Sequence, residues 1–132
     1  MAVKISYDDQ TPGVLIEYSG IVGAAEAIGV TRTVFSDPRF PTLKYWISDR
    51  TATDKFDIDA GDAERIASLT REAARTNSHL VMAQVSPNDI DFGMSRMYEM
   101  LAGEEGFRTM VVRTRAEAER WVEEQLQTHL TR

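Results

Sequence analysis

Apolar and polar residues alternate at the start of the chain. Val3, Ile5 and Tyr7 interleave with Lys4, Ser6 and Asp8, the period-two signature of a half-exposed strand. Asp8-Asp9-Gln10-Thr11-Pro12-Gly13 is turn chemistry, and Val14 to Tyr18 reads as a second strand closing a hairpin. Ser19 and Gly20 then lead into a helix from about Val22 to Ser36. Its stripe is Ala24, Ala25, Ala27, Ile28, Thr31, Val34 and Phe35, and it stops before Pro38. Leu43, Tyr45 and Ile47 mark a third strand, and Asp49 to Asp57 reads as a polar loop.

Asp59 is placed to cap a second helix, with Asp62 three residues on near its positive end. Ala63, Ile66, Ala67, Thr70, Ala73 and Ala74 share one face, and Asn77 suits the helix end. Leu80 to Val85 is nearly continuous apolar, as a strand buried on both faces should be. Ser86-Pro87-Asn88-Asp89 predicts a serine N-cap with proline at the first helical position. Ile90, Met94, Met97 and Leu101 are the expected buried stripe, stopped by Gly103 or Gly106. Phe107 to Val112 is a fifth strand. Thr114-Arg115-Ala116-Glu117 is a capping box opening a last helix that buries Ala118, Trp121, Val122 and Leu126. Strand–helix alternation of this kind predicts an α/β domain with right-handed crossovers and a mostly parallel five-stranded sheet. Its first strand belongs to the N-terminal hairpin, and four main helices cover it.

At 132 residues, with no repeat or linker, residues 1–132 are expected to form one domain. A hydrophobic share of 42% against 27% charged excludes a disordered chain. The absence of cysteine removes disulfides, thiol catalysis and thiolate metal sites, and fits a reducing, cytoplasmic setting. The first residues lack a signal-peptide stretch, and no run is long enough to span a bilayer. Net charge of -6 argues against nucleic acid as a partner. The cluster Arg108, Arg113, Arg115 and Arg120 is interleaved with Glu117, Glu119, Glu123 and Glu124, the composition of a solvated mixed face.

Four segments carry a family resemblance: Ser36-Asp37-Pro38-Arg39-Phe40, Ile47-Ser48-Asp49-Arg50, Asp91 to Glu99, and Thr114 to Val122. In this order and spacing the chain resembles the SpoIIAA-like group of the STAS superfamily, over about residues 13–126. The resemblance implies a bacterial protein with a right-handed β-α superhelix. It also implies a role in binding a kinase or other regulator, switched by phosphorylation. The family's switch serine stands in an Asp-Ser-Ser-Gly-like turn. This chain reads Asp49-Arg50-Thr51-Ala52-Thr53 there, so Thr51 and Thr53 supply hydroxyls without the motif. A neighbouring branch resembles lipid-transfer domains, which admits an apolar ligand.

Metal chemistry finds no support. Counted from Asp57 or from Asn88, an EF-type calcium loop misplaces its oxygen ligands, and His79 and His129 stand apart. No cofactor is implied, because nucleophile-elbow, P-loop and dinucleotide motifs are all missing. In a parallel α/β sheet, ligands gather beyond the carboxyl ends of strands. That edge makes Asp49, Arg50, Thr51, Thr53 and Ser86 the ligand or switch candidates, with Asp49 and Arg50 alternatively pairing with each other. The Met-rich helix offers Phe92, Arg96 and Tyr98 as contacts for a partner protein or a second copy. The expected function is a non-enzymatic regulatory or interaction module that self-associates as a homodimer. The alternative is a carrier of a small apolar or amphipathic ligand. An enzyme on an anionic substrate ranks last, and would need Arg50 and an acid or hydroxyl converging in one cleft.

Overall fold

The computed structural model describes residues 2–103 and 107–130, the last two of these by backbone alone. Five strands make one sheet: β1 (Ala2–Asp8), β2 (Gly13–Gly23), β3 (Tyr45–Asp57), β4 (Val81–Val85) and β5 (Arg108–Val112). Their spatial order is their sequence order. β1 runs antiparallel to β2, and the other neighbours are parallel. Between them run α1 (Ala24–Phe35), α2 (Ala60–Ala74) and α3 (Asp89–Ala102), and α4 (Arg115–Leu130) closes the chain.

This topology explains an asymmetry between the two faces. Three successive crossovers of one hand place α1, α2 and α3 on the same side. There Val14, Ile16, Tyr18, Trp46 and Met82 form the main core with Ala27, Val34, Ala63, Ala67 and Tyr98. Only α4 remains for the other side, where Ala118 and Val122 meet Ile47, Val81, Ala83 and Val85. α4 crosses β3, β4 and β5, which leaves the β1–β2 end of that face open.

Several elements depart from the sequence pattern. β2 does not stop at Tyr18. It passes register shifts at Glu17/Ser19 and Gly20/Ile21, and Gly20 takes φ 71°. A glycine in that left-handed region absorbs the bulge and lets pairing resume. The polar segment Asp49–Asp57 is not a loop but the second half of β3, paired with β2 as far as Gly23↔Asp57. β4 ends at Val85, so β2 and β3 continue beyond the sheet as a two-stranded ribbon with its polar residues in solvent.

The α3 expectations also shift. Its N-cap is Asn88, whose side chain accepts from the Asp91 amide at 2.9 Å, and Ser86 is fully buried two residues earlier. The buried stripe is Asp91, Ser95, Tyr98 and Ala102. Ile90 is 82% exposed and Leu101 is exposed, while Met94 and Met97 pack only partly against the core. A cap two residues later re-phases the helix, and the polar pair Asp91 and Ser95 turns inward because buried partners await it. Gly103, at φ 60°, ends α3, whereas Gly106 lies outside the described residues, as does the His129 side chain. The Asp59–Asp62 capping box and the Thr114 cap of α4 are present as the pattern predicted.

Candidate functional site

Asp49 and Arg50 are adjacent in β3, so their side chains point to opposite faces of the sheet. They therefore do not pair with each other. Each organises a separate polar cluster just short of the carboxyl edge.

On the α4 face, the Arg115 guanidinium donates to Asp49 Oδ2 at 3.0 Å and to Glu119 at 3.1 Å, with Glu17 at 3.6 Å. The Thr51 amide donates to Asp49 Oδ1 at 2.8 Å, and the Thr51 hydroxyl donates to the same oxygen. Burial opposes ionisation of Asp49. The Thr51 hydrogen bonds and Arg115 outweigh it and hold the carboxyl below its ordinary range. This cluster is satisfied internally.

On the opposite face, Arg50 lies between the sheet and helices α2 and α3, only 8% exposed. Nη1 donates to Ser95 at 2.8 Å and Nη2 to Gln84 at 3.1 Å. Ser95 in turn shares a 2.8 Å hydrogen bond with Ser86. The guanidinium stacks 3.8 Å from the Phe56 ring centroid. Phe56 itself meets Tyr18 edge-on at 5.3 Å. Nothing in the described structure accepts from Nε, and no carboxylate forms an ion pair with this side chain. Burial lowers the Arg50 pKa, against the fields of Tyr18, Asp91 and Tyr98.

A cavity of about 40 Å³ adjoins this group. Arg50, Gln84, Ser95, Ser48 and Thr70 are among its polar lining, and Ile58, Ile66 and Met94 among its apolar lining. Tyr98, expected as a partner contact, is instead 6% exposed inside this core. Its hydroxyl meets Thr70 Oγ1 at 2.6 Å and Met82 Sδ at 3.7 Å, and burial pushes its pKa up to about 12.

The remaining candidates are dispersed. Thr53 donates to the Arg50 carbonyl at 2.7 Å, so its hydroxyl is tied to β3. Phe92 is half-buried beneath Arg113, whose guanidinium lies 4.1 Å over the ring and pairs with Asp89 at 2.9 Å. Arg96 is exposed and reaches Glu99 at 3.5 Å. Sequence reasoning missed Gln84, Ser95, Phe56 and Arg115 as partners of Arg50 and Asp49. One signal was visible: Gln84 is a lone amide within the otherwise apolar run Leu80–Val85, and a buried polar group needs a partner.

A second concavity lies at the other end of the molecule. An open cleft of about 960 Å³ forms where α4 leaves the sheet uncovered. Leu15, Tyr45 and Ile47 floor it, and Val122 and Leu126 wall it. Asp8, Arg108 and Glu119 supply charge at the cleft. Among the described residues no group of acidic or histidine side chains could hold a metal ion, and no helix is long and apolar enough to cross a membrane.

No protein-family profile matches the sequence, and no curated protein matches it. Solved structures do match by fold. An uncharacterised protein of the DUF3478 family with a SpoIIAA-like fold, from Shewanella loihica PV-4, superposes with a TM-score of 0.57 at 12% identity, covering 92% of each chain. The anti-sigma factor antagonist SpoIIAA in its unphosphorylated form gives 0.55 at 12% identity, covering 93% of this chain and 97% of that one. The chain has a SpoIIAA-like fold, as its sequence pattern led one to expect.

Proposed function

We propose that this protein is a non-enzymatic regulatory module that works by binding protein at the carboxyl edge of its sheet. The observation that carries this reading is the exposure of large apolar side chains there. Ile21, on the β2–β3 ribbon, is 61% exposed, and Ile90, in the first turn of α3, is 82% exposed. Ile21 pairs with Lys55 on the part of β2–β3 that runs beyond the end of β4, and Ile90 follows the carboxyl end of β4 at the start of α3. Exposed aliphatic groups that the core does not claim are characteristic of contact surfaces. The SpoIIAA-like fold supports the same reading, since one structure of that fold is an anti-sigma factor antagonist. The partner proposed first is a second copy of the chain.

Light scattering on purified protein, with and without Ile21→Glu and Ile90→Glu, tests this. A dimer that the two substitutions convert to monomer is expected. A wild-type monomer that also recovers no stoichiometric partner by crosslinking in its own host would overturn the reading.

A second reading, a carrier of a small amphipathic ligand, is favoured by the 960 Å³ cleft, which falls in the size range of ligand sites. Native mass spectrometry against a denatured control distinguishes the two. Excess mass lost on denaturation supports the carrier.

A further inference from the structure

The open cleft of about 960 Å³ joins apolar surface to charge, and its charge is unevenly satisfied. Leu15, Tyr45 and Leu126 are only partly buried, so each keeps apolar surface beside the buried Ile47 and Val122. Two acids at the cleft are engaged within the chain. Asp8 accepts from the Gln10 amide at 2.9 Å, the Thr11 amide at 3.3 Å and the Tyr45 hydroxyl at 3.1 Å. Glu119 pairs with Arg115 at 3.1 Å, and Arg115 is bound to Asp49 as well.

The bases differ. Lys44 and Arg108 line the same cleft, both are exposed, and neither forms an ion pair with a described carboxylate. Arg108 Nη1 donates to Gln125 Oε1 at 2.8 Å. A neutral partner on α4 thus holds the guanidinium at the cleft without neutralising it. Lys44 immediately precedes β3 and Arg108 opens β5, and the register Tyr45↔Val81↔Arg108 leaves only β4 between them. At the usual strand spacing their backbones lie about 10 Å apart, a gap that two long side chains span. Glu123, exposed on α4, is at the cleft and also lacks an ion pair among the described residues. The unpaired lysine, arginine and glutamate leave an excess of one positive charge, in a chain whose net charge is -6.

We infer that the cleft binds a single-chain amphipathic monoanion, an alkyl carboxylate. Its head lies between Lys44 and Arg108, and its chain runs along Leu126, Tyr45 and Leu15. The inference rests on the ligand-carrier reading of this cleft and adds the head group to it. Arg108 keeps N–H donors beyond the one given to Gln125, and a planar guanidinium matches a carboxylate through two parallel hydrogen bonds. A cationic head finds Asp8 and Glu119 already engaged. A dianionic head carries a second charge that the single excess cation does not offset, with Glu119 and Glu123 at the same cleft.

The test is calorimetric titration of wild-type protein whose native mass shows no bound small molecule. The probes are sodium decanoate, 1-decanol and decyltrimethylammonium, each below its micelle concentration, with sodium acetate as the head without the tail. Decanoate is expected to bind saturably at one equivalent, about tenfold more tightly than decanol, with decyltrimethylammonium weaker still and acetate showing no saturable binding. Lys44→Gln with Arg108→Gln should weaken decanoate about tenfold and leave decanol within about twofold. Both positions are exposed, and the charge-keeping pair Lys44→Arg with Arg108→Lys should restore most of the affinity. If none of the ten-carbon probes binds saturably, the carrier reading falls and this inference with it. If all three bind equally, the carrier reading stands and the anionic head is overturned. A decanoate preference that the Gln pair does not change would overturn the assignment to Lys44 and Arg108.

Discussion

Replacing Arg50 with methionine tests what the buried guanidinium contributes to stability. Holding a guanidinium at this depth costs several kcal/mol of desolvation, and the unpaired Nε–H adds about 1–3 kcal/mol. Against this stand hydrogen bonds to Ser95 and Gln84, about 1.5–3 kcal/mol each because one partner is charged, and the stack on Phe56, about 2 kcal/mol when desolvated. The two sides come close to cancelling. Methionine keeps the apolar stem against Phe56 and removes the charge. Ser95 retains its bond to Ser86, but the Gln84 side-chain oxygen is left buried and unpaired. Arg50→Met alone should therefore lose about 1–3 kcal/mol, the cost of that orphan. Arg50→Met with Gln84→Met should return to within about 1 kcal/mol of wild type, since a well-packed apolar replacement of a buried charge is commonly neutral or better. Urea unfolding followed by the fluorescence of buried Trp46 measures both, with unchanged m-values confirming that the unfolding reaction is the same. A double variant that loses more than about 3 kcal/mol would refute the reasoning, because Arg50 would then be a net structural contributor.

Two further outcomes follow from the geometry. Gly13 lies in β2 opposite Tyr45, and a Cβ there would overlap the Tyr45 ring, so Gly13→Ala should cost about 1–3 kcal/mol. Combining it with Tyr45→Ala should cost less than the sum of the two single changes, and strict additivity would show that the ring is not the obstacle. Asp49 has a folded pKa below its unfolded value, so its contribution is complete above about pH 4 and is lost as pH falls through the lower folded value. Asp49→Asn should cost about 1–2 kcal/mol at neutral pH, and its difference from wild type should shrink in acid. A difference independent of pH between neutrality and about pH 2 would contradict the Arg115 and Thr51 assignment.

Local pattern decided a good deal about this protein. Alternation in Val3–Tyr7, the apolar run before Val85, the Asp59–Asp62 and Thr114–Glu117 caps and the stripe of α2 all depend on residues within a turn or two of one another, and such signals survive without knowledge of the fold. Strand–helix alternation then fixed the hand of the crossovers, and through it a SpoIIAA-like arrangement. Partners distant in sequence decided the rest. Asp49–Asp57 carries polar loop chemistry, yet it is a strand because β2 offers its edge through Gly23. Tyr98 and Ser95 turned inward, and Ile90 outward, because α3 caps at Asn88 and meets Thr70 and Arg50 across the core. The sequence placed Arg50 near a strand end. Only packing could show it buried, with Gln84 and Ser95 as its acceptors and no acid among the described residues paired with it, because that state is set by three elements that share no local pattern.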